Sequence, residues 1–174
     1  MIKTPAEAMN NMAHSDGLDR SAASPAQRFA TFSLAGQSYA IALEQLAAVV
    51  APTPLVGLPH SASWLLGVTA WRGRAINVVD LALLLGLELG STPASQKWLV
   101  IEWCQQWLAL QVDGVGAIIT ALDSQQAAPS SALGALGSGS VIDQQGGSLS
   151  RLSVDKLYAY FNQRSPFLSD AASG

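Results

Sequence analysis

The sequence predicts a mostly β protein built from two small β-barrels with short helices. Hydrophobic residues make up 49% of the 174 residues and charged residues 12%, which is enough apolar material for one sizeable core or two small ones. Short apolar runs alternate with a two-residue period, which is typical of strands. The two halves of the chain repeat the same pattern at a constant spacing, and this duplication favours a pair of barrels.

The first predicted element is a hairpin. Phe29 to Leu34 and Tyr39 to Leu43 have strand periodicity, and Ala35-Gly36-Gln37 forms the turn between them. The apolar stretch from Ala40 to Leu58 is nearly long enough for a membrane helix, which needs about 20 such residues. We expect none here, because the prolines Pro52 and Pro54 would end a helix.

The stretch from Gly67 to Leu81 predicts a strand, a basic turn, a second strand and the start of a helix. Arg72 and Gly73 form the turn. Asp80 is predicted as the N-cap of a short helix from Leu81 to Leu85, because a carboxylate at that position accepts hydrogen bonds from the first free amides.

The second half of the chain repeats the first. Trp98 to Trp103 and Trp107 to Val112 are predicted as a second hairpin, in which Trp98 corresponds to Phe29. This half ends with a predicted helix from Val154 to Phe161.

The predicted folded domain spans about 29–162, with two intertwined subdomains at about 29–90 and 97–162. Small and polar residues predict a disordered tail at 1–28 and a flexible tail at 163–174, a linker at 88–96 and a mobile loop at 124–140. An alternative for the N-terminal tail is a docking segment that becomes ordered on a partner.

Charge and cysteine content restrict the function classes. A net charge of -3 provides no basic surface for nucleic acid. Cys104 is the only cysteine, so an intramolecular disulfide is excluded and a reducing, cytoplasmic compartment is the default. No secretory signal pattern opens the sequence.

No catalytic constellation is predicted. His14 and His60 have no carboxylate or cysteine at ligand or triad spacing, so the sequence predicts no metal, no cofactor and no enzyme. Five tryptophans are present. Trp64 and Trp71 flank the basic turn and are candidate interface aromatics, whereas the hairpin tryptophans are expected to fill the barrels.

Arg72, Gly73, Asp80 and Leu81 carry a family resemblance. They resemble the CheW-like adaptor domain of bacterial chemotaxis arrays. In that family the usual pattern at these positions is Asn-Leu-Arg-Gly, then an apolar strand with Pro, and then Val-Asp-Leu. The similarity extends from about Phe29 to Phe161. It implies two SH3-like five-stranded barrels and a non-catalytic adaptor.

The resemblance also implies two protein partners, the cytoplasmic tip of a methyl-accepting chemoreceptor and the regulatory domain of a CheA-like histidine kinase. No nucleic acid and no direct membrane insertion are implied, and the adaptor would be cytoplasmic, at membrane-associated receptor arrays. The receptor tip would lie in an apolar groove between the barrels. The matching groove positions are Leu43, Leu46, Val49 and Val115.

Three further positions are implied to have structural or interface roles. The Arg72 guanidinium would bond several carbonyls and hold the shape of the groove, or alternatively form a surface salt bridge. Asp113 and Gly114 match a turn of the family and would fix local geometry.

The sequence departs from the family pattern at Ala48, Ala70, Trp71 and Asn77. Ala48 replaces a commonly acidic residue, which removes a possible charge-assisted bond at an interface. A regulatory variant that binds only one partner, or an adaptor of a type IV pilus motility pathway, is therefore an alternative. A third hypothesis is an enzyme or ligand-binding protein with a pocket between the barrels.

Overall fold

A computed structural model of the protein describes residues 25–88, 95–124 and 133–164. Most of both predicted tails, most of the predicted linker and about half of the predicted mobile loop lie outside the described residues. The strands are β1 (Gln27–Leu34), β2 (Gln37–Ala42), β3 (Leu46–Val50), β4 (Leu65–Trp71), β5 (Arg74–Asp80), β6 (Lys97–Trp103), β7 (Gln106–Val112), β8 (Gly114–Ser124), β9 (Gly137–Ile142) and β10 (Ser148–Leu152). The helices are α1 (Leu81–Leu85) and α2 (Val154–Arg164), with short 3-10 helices at Leu43–Gln45 and Gly134–Leu136.

The strands form two five-stranded sheets, as the sequence predicts. Sheet A closes into a barrel in the order β1-β2-β10-β9-β8, whereas sheet B has the order β3-β6-β7-β5-β4. The predicted fold class is confirmed.

The sheets do not follow the predicted subdomain bounds of 29–90 and 97–162. Sheet A takes its hairpin β1–β2 from the first half of the chain and β8 to β10 from the second, and sheet B combines β6–β7 with β3 to β5. Each hairpin has therefore exchanged places with its counterpart. Four pairings join the halves, the antiparallel pairs β1 with β8 and β3 with β6 and the parallel pairs β2 with β10 and β5 with β7.

A shared core lies between the two sheets. It contains residues of the barrel such as Phe32 and Ile41, residues of sheet B such as Leu99 and Leu110, and Phe161 of α2. The barrel face that carries Phe32 and Ile41 meets the other sheet, so it is the outer face of the barrel. A smaller cluster around Phe29, Ala40 and Val141 fills the barrel itself. A third cluster around Val78, Trp98 and Val100 lies on the opposite face of sheet B.

Gly67 allows the chain after β3 to approach β4 closely. Val56 and Val68 exchange two backbone hydrogen bonds of 2.9 Å, which partly cover the β4 edge of sheet B. Gly67 has φ of +147°, and a Cβ atom at this position would overlap the carbonyl oxygen of Val56. Only glycine meets both conditions without strain.

Gly67→Ala is therefore expected to lower the free energy of unfolding by about 2 kcal/mol, because the backbone at this position would be strained and the segment at Val56 would be displaced. Urea unfolding measures this loss. Gly36→Ala is the matched control, since Gly36 also has positive φ, at +76°, but faces open space. An equal loss in the two variants would contradict the role of close approach.

Candidate functional site

Two of the four predicted groove residues are exposed at the rim of the shared core. Val49 is 43% exposed and Val115 is 36% exposed. Val49 lies opposite Leu99, and Val115 lies opposite Phe32. Because directly paired residues of antiparallel strands point to the same face, each valine extends the intersheet face of its own sheet into solvent.

The other two groove residues belong more to the core than to a free surface. Leu43, in the 3-10 helix after β2, and Leu46, at the start of β3, are half-buried and pack against the shared core. Leu43 also lines a shallow surface pocket beside the start of β1. Of the four predicted residues, Val49 and Val115 therefore offer the accessible contact area.

Ile118 is a surface residue that the sequence reasoning missed. It lies on β8 opposite Ala30 of the shared core and is 54% exposed. The internal repeat contained the signal, since Ile118 corresponds to Val49 in the other half of the chain. We call Val49, Val115 and Ile118 the apolar rim.

The two candidate interface aromatics are packed within the fold. The Trp64 ring lies edge-on to Phe161, with ring centroids 5.5 Å apart, and packs against the shared core. Trp71 lies edge-on to Trp107, at 4.9 Å. Trp64 therefore joins the loop before β4 to α2, and both rings are half-buried, so the interface prediction for them stays a prediction.

The basic turn is a two-residue hairpin between β4 and β5. Arg72 and Gly73 have φ of +48° and +75°, the left-handed conformation that such a turn requires. The Arg72 guanidinium lies over the Trp71 ring, 4.5 Å from its centroid. Across residues 25–88, 95–124 and 133–164 this guanidinium has no hydrogen bond to a carbonyl, so stacking on Trp71 takes the place of the expected carbonyl contacts.

Asp80 connects α1 to the core of sheet B. Its side chain is buried; Oδ1 accepts a 3.0 Å hydrogen bond from the Leu83 N–H, and Oδ2 accepts one of 3.2 Å from Gln111 Nε2. Gln111 Oε1 in turn accepts from Trp98 Nε1, at 3.2 Å. The predicted N-cap is present, and the carboxylate is structural.

Asp113 and Gly114 join the second half of the chain to the first hairpin. Asp113 Oδ2 accepts a 2.7 Å hydrogen bond from the Ala35 N–H, and the Asp113 N–H donates to the Ser33 carbonyl at 3.0 Å. A Cβ atom on Gly114 would lie 3.0 Å from Ser33 Oγ, so this contact favours glycine. Both residues fix the position of β8, which carries two rim residues.

The described part of the chain contains no metal-binding cluster and no membrane-spanning helix. No group of three His, Cys, Asp or Glu residues that could hold a metal ion is found there, and Cys104 is free and exposed. No helix among these residues is long and apolar enough to span a membrane. Burial, and to a lesser degree the neighbouring Glu102 and Cys104, raises the pKa of Tyr158 above its ordinary value.

The fold defines a class, the duplicated small-barrel domains in which two five-stranded sheets pack around a shared core. The chain belongs to the CheW-like domain family, which it matches over residues 28–160. Domains of this family are non-catalytic adaptors.

Two comparisons with individual proteins agree. The chain is similar to a probable chemotaxis protein CheW of Rhizobium etli, with 28% identity over 92 residues, which are 53% of this chain and 59% of that protein. The match therefore spans less than two thirds of the relative. The fold is similar to that of the scaffolding protein TtCheW from Thermoanaerobacter tengcongensis, with a TM-score of 0.66 and 20% identity over 74% of this chain and 90% of that one.

Proposed function

We propose that the chain is an adaptor that couples chemoreceptors to a CheA-type histidine kinase in chemotaxis. The observation that carries this proposal is the apolar rim between the sheets, in a chain of the CheW-like family. A contiguous exposed apolar patch is a common mark of a protein-binding surface.

The receptor tip would lie along the apolar rim. Val49 is contributed by sheet B, whereas Val115 and Ile118 are contributed by the barrel, so a partner long enough to reach all three would contact both sheets. Burial of aliphatic side chains supplies binding energy of about 25 cal/mol per Å² of apolar surface. Docking would also hold the sheets together.

The kinase regulatory domain would pair with one of the sheets, barrel to barrel. In sheet B the strands β3 and β4 are the edges, and β4 ends in the exposed Arg72 turn. The proposed place of action is the cytoplasmic face of the membrane, at receptor arrays, where both partners present these domains.

A regulatory variant that binds one partner only is the second candidate, and Ala48 and Ala70 are the observations behind it. Ala48 is half-buried and packs against the cluster around Trp98, where a carboxylate would lose its water. Packing therefore explains why Ala48 stands where the family commonly has an acidic residue. Ala70 is exposed opposite Ala75, so one surface change remains in favour of the variant.

Titration calorimetry tests the proposal. The purified chain is titrated with a receptor tip fragment, with a kinase regulatory domain, and with each in the presence of the other. The adaptor predicts two independent binding events and a ternary complex. Binding to one partner alone would replace the adaptor by the regulatory variant, and binding to neither would refute both.

Arg72→Ala is expected to weaken binding of the kinase regulatory domain about 2- to 5-fold, because the turn at the end of β4 loses an exposed donor group and the stacking on Trp71, worth about 0.5–1 kcal/mol, that holds it in place. Calorimetry measures the affinity and thermal unfolding measures stability. Lys97→Ala, which removes one positive charge from the start of β6, serves as the control. Unchanged affinity in Arg72→Ala with a normal unfolding curve would remove Arg72 from the site.

A further inference from the structure

A pocket with a volume of about 240 Å³ opens where β5, the β6–β7 turn and α2 meet. Its walls include Arg74, Asn77, Gln105, Gln106, Trp107 and Tyr158. None of the predicted groove residues and none of the apolar rim residues lines it, so it is a separate feature of the surface.

Arg74 is the charged residue of the pocket wall. Its guanidinium carbon lies 4.6 Å from the centroid of the Trp107 ring, and the side chain is exposed. Stacking fixes the plane of the guanidinium and leaves its N–H edges available. No carboxylate within the described ranges forms an ion pair with Arg74, which is notable in a chain of net charge -3.

The other polar groups of the pocket are neutral. Asn77, Gln105 and Gln106 carry amides, and the Tyr158 hydroxyl donates a 3.0 Å hydrogen bond to the Gln106 carbonyl. The Trp107 indole N–H is buried without a hydrogen-bond partner in the structure. The lining therefore combines one positive charge with donor groups and no negative charge.

We propose that this pocket binds a carboxylate side chain from an acidic segment of a partner protein. The guanidinium would hold the carboxylate in a bidentate pair, and the amides would supply further hydrogen bonds. The volume is below the range of about 300–1,000 Å³ that is usual for small-molecule sites and suits a single side chain. This contact is independent of the proposed adaptor function.

Glu102 is the carboxylate that opposes binding. It lies on β6 directly across from Trp107, is exposed, and is close enough to Tyr158 to raise the pKa of its hydroxyl. It does not pair with Arg74 in the structure. Its negative charge would repel an incoming carboxylate, so removal of this charge should tighten binding.

A titration of the full chain with a hexaglutamate peptide at low salt tests the proposal. Binding is monitored by ¹H–¹⁵N NMR. The expected result is saturable shifts of the Arg74, Gln105 and Gln106 amides and of the Trp107 indole N–H. Arg74→Gln should weaken binding about tenfold and Glu102→Gln should strengthen it. Hexaglutamine, which has no charge, should cause no shifts.

Lys97→Gln is the matched control. Lys97 lies at the opposite end of β6 from the pocket, about 20 Å away along the strand. Its substitution by Gln removes one positive charge, as Arg74→Gln does. Its affinity for hexaglutamate should equal that of the unchanged chain. An equal loss in Arg74→Gln and Lys97→Gln, or an absence of saturable shifts at the pocket, would overturn the proposal.

Discussion

Val115→Asp is expected to weaken binding of a receptor tip fragment about 100-fold and to leave the chain folded. The side chain lies at the rim beside Phe32, where a docked partner would exclude water. A carboxylate there must lose its hydration, and an apolar contact is lost as well, for a total of about 3 kcal/mol. Calorimetric titration with the fragment measures the change, since 1.4 kcal/mol corresponds to a factor of about ten.

Val56→Asp is the matched control for this prediction. Val56 is 71% exposed and lies beside β4. It lines a surface pocket that contains none of the rim residues. The same substitution there should leave the affinity unchanged. If Val115→Asp binds as well as the unchanged chain does, the apolar rim is not the receptor surface.

Phe161→Ala is expected to lower the free energy of unfolding by about 3–5 kcal/mol, the usual range for removal of a buried aromatic ring. Phe161 is 1% exposed and contacts Trp64 edge-on, so its loss leaves a cavity between α2 and the shared core. Urea unfolding followed by circular dichroism measures the loss. Tyr160→Ala on the same helix, where Tyr160 is half-buried, should cost much less.

The same experiment examines whether the two sheets unfold as one unit. All five tryptophans lie in sheet B or in the loop before β4, so their fluorescence follows that sheet, while far-ultraviolet circular dichroism follows both. Because the core is shared, the two signals should change together in the unchanged chain and in Phe161→Ala. Two separate transitions would show that the sheets are independent domains.

Local features of the fold were predictable from the sequence. The first hairpin, predicted from Phe29 to Leu34 and from Tyr39 to Leu43, is found at Gln27–Leu34 and Gln37–Ala42, since alternation and turn residues act over short distances. The Asp80 cap was predictable for the same reason. Each depends on neighbours in the sequence.

Long-range pairing was not predictable in this way. Alternation identifies a strand but not the strand beside it, so the parallel pairing of β2 with β10 could not be read from the pattern. Similarly, Trp64 contacts Phe161, which is distant in the sequence. Arg72 stacks on its neighbour Trp71, although the turn alone favoured bonds to carbonyls.

The central claim is that one chain couples a receptor to a kinase, and a reconstituted signalling complex tests it most directly. Receptor tip fragments are displayed on vesicles with a CheA-type kinase, and the rate of kinase autophosphorylation is measured with and without the chain. We predict a large increase in rate that requires the chain and the receptor together and is lost with Val115→Asp. A kinase rate that the chain leaves unchanged in the presence of receptors would contradict the adaptor function.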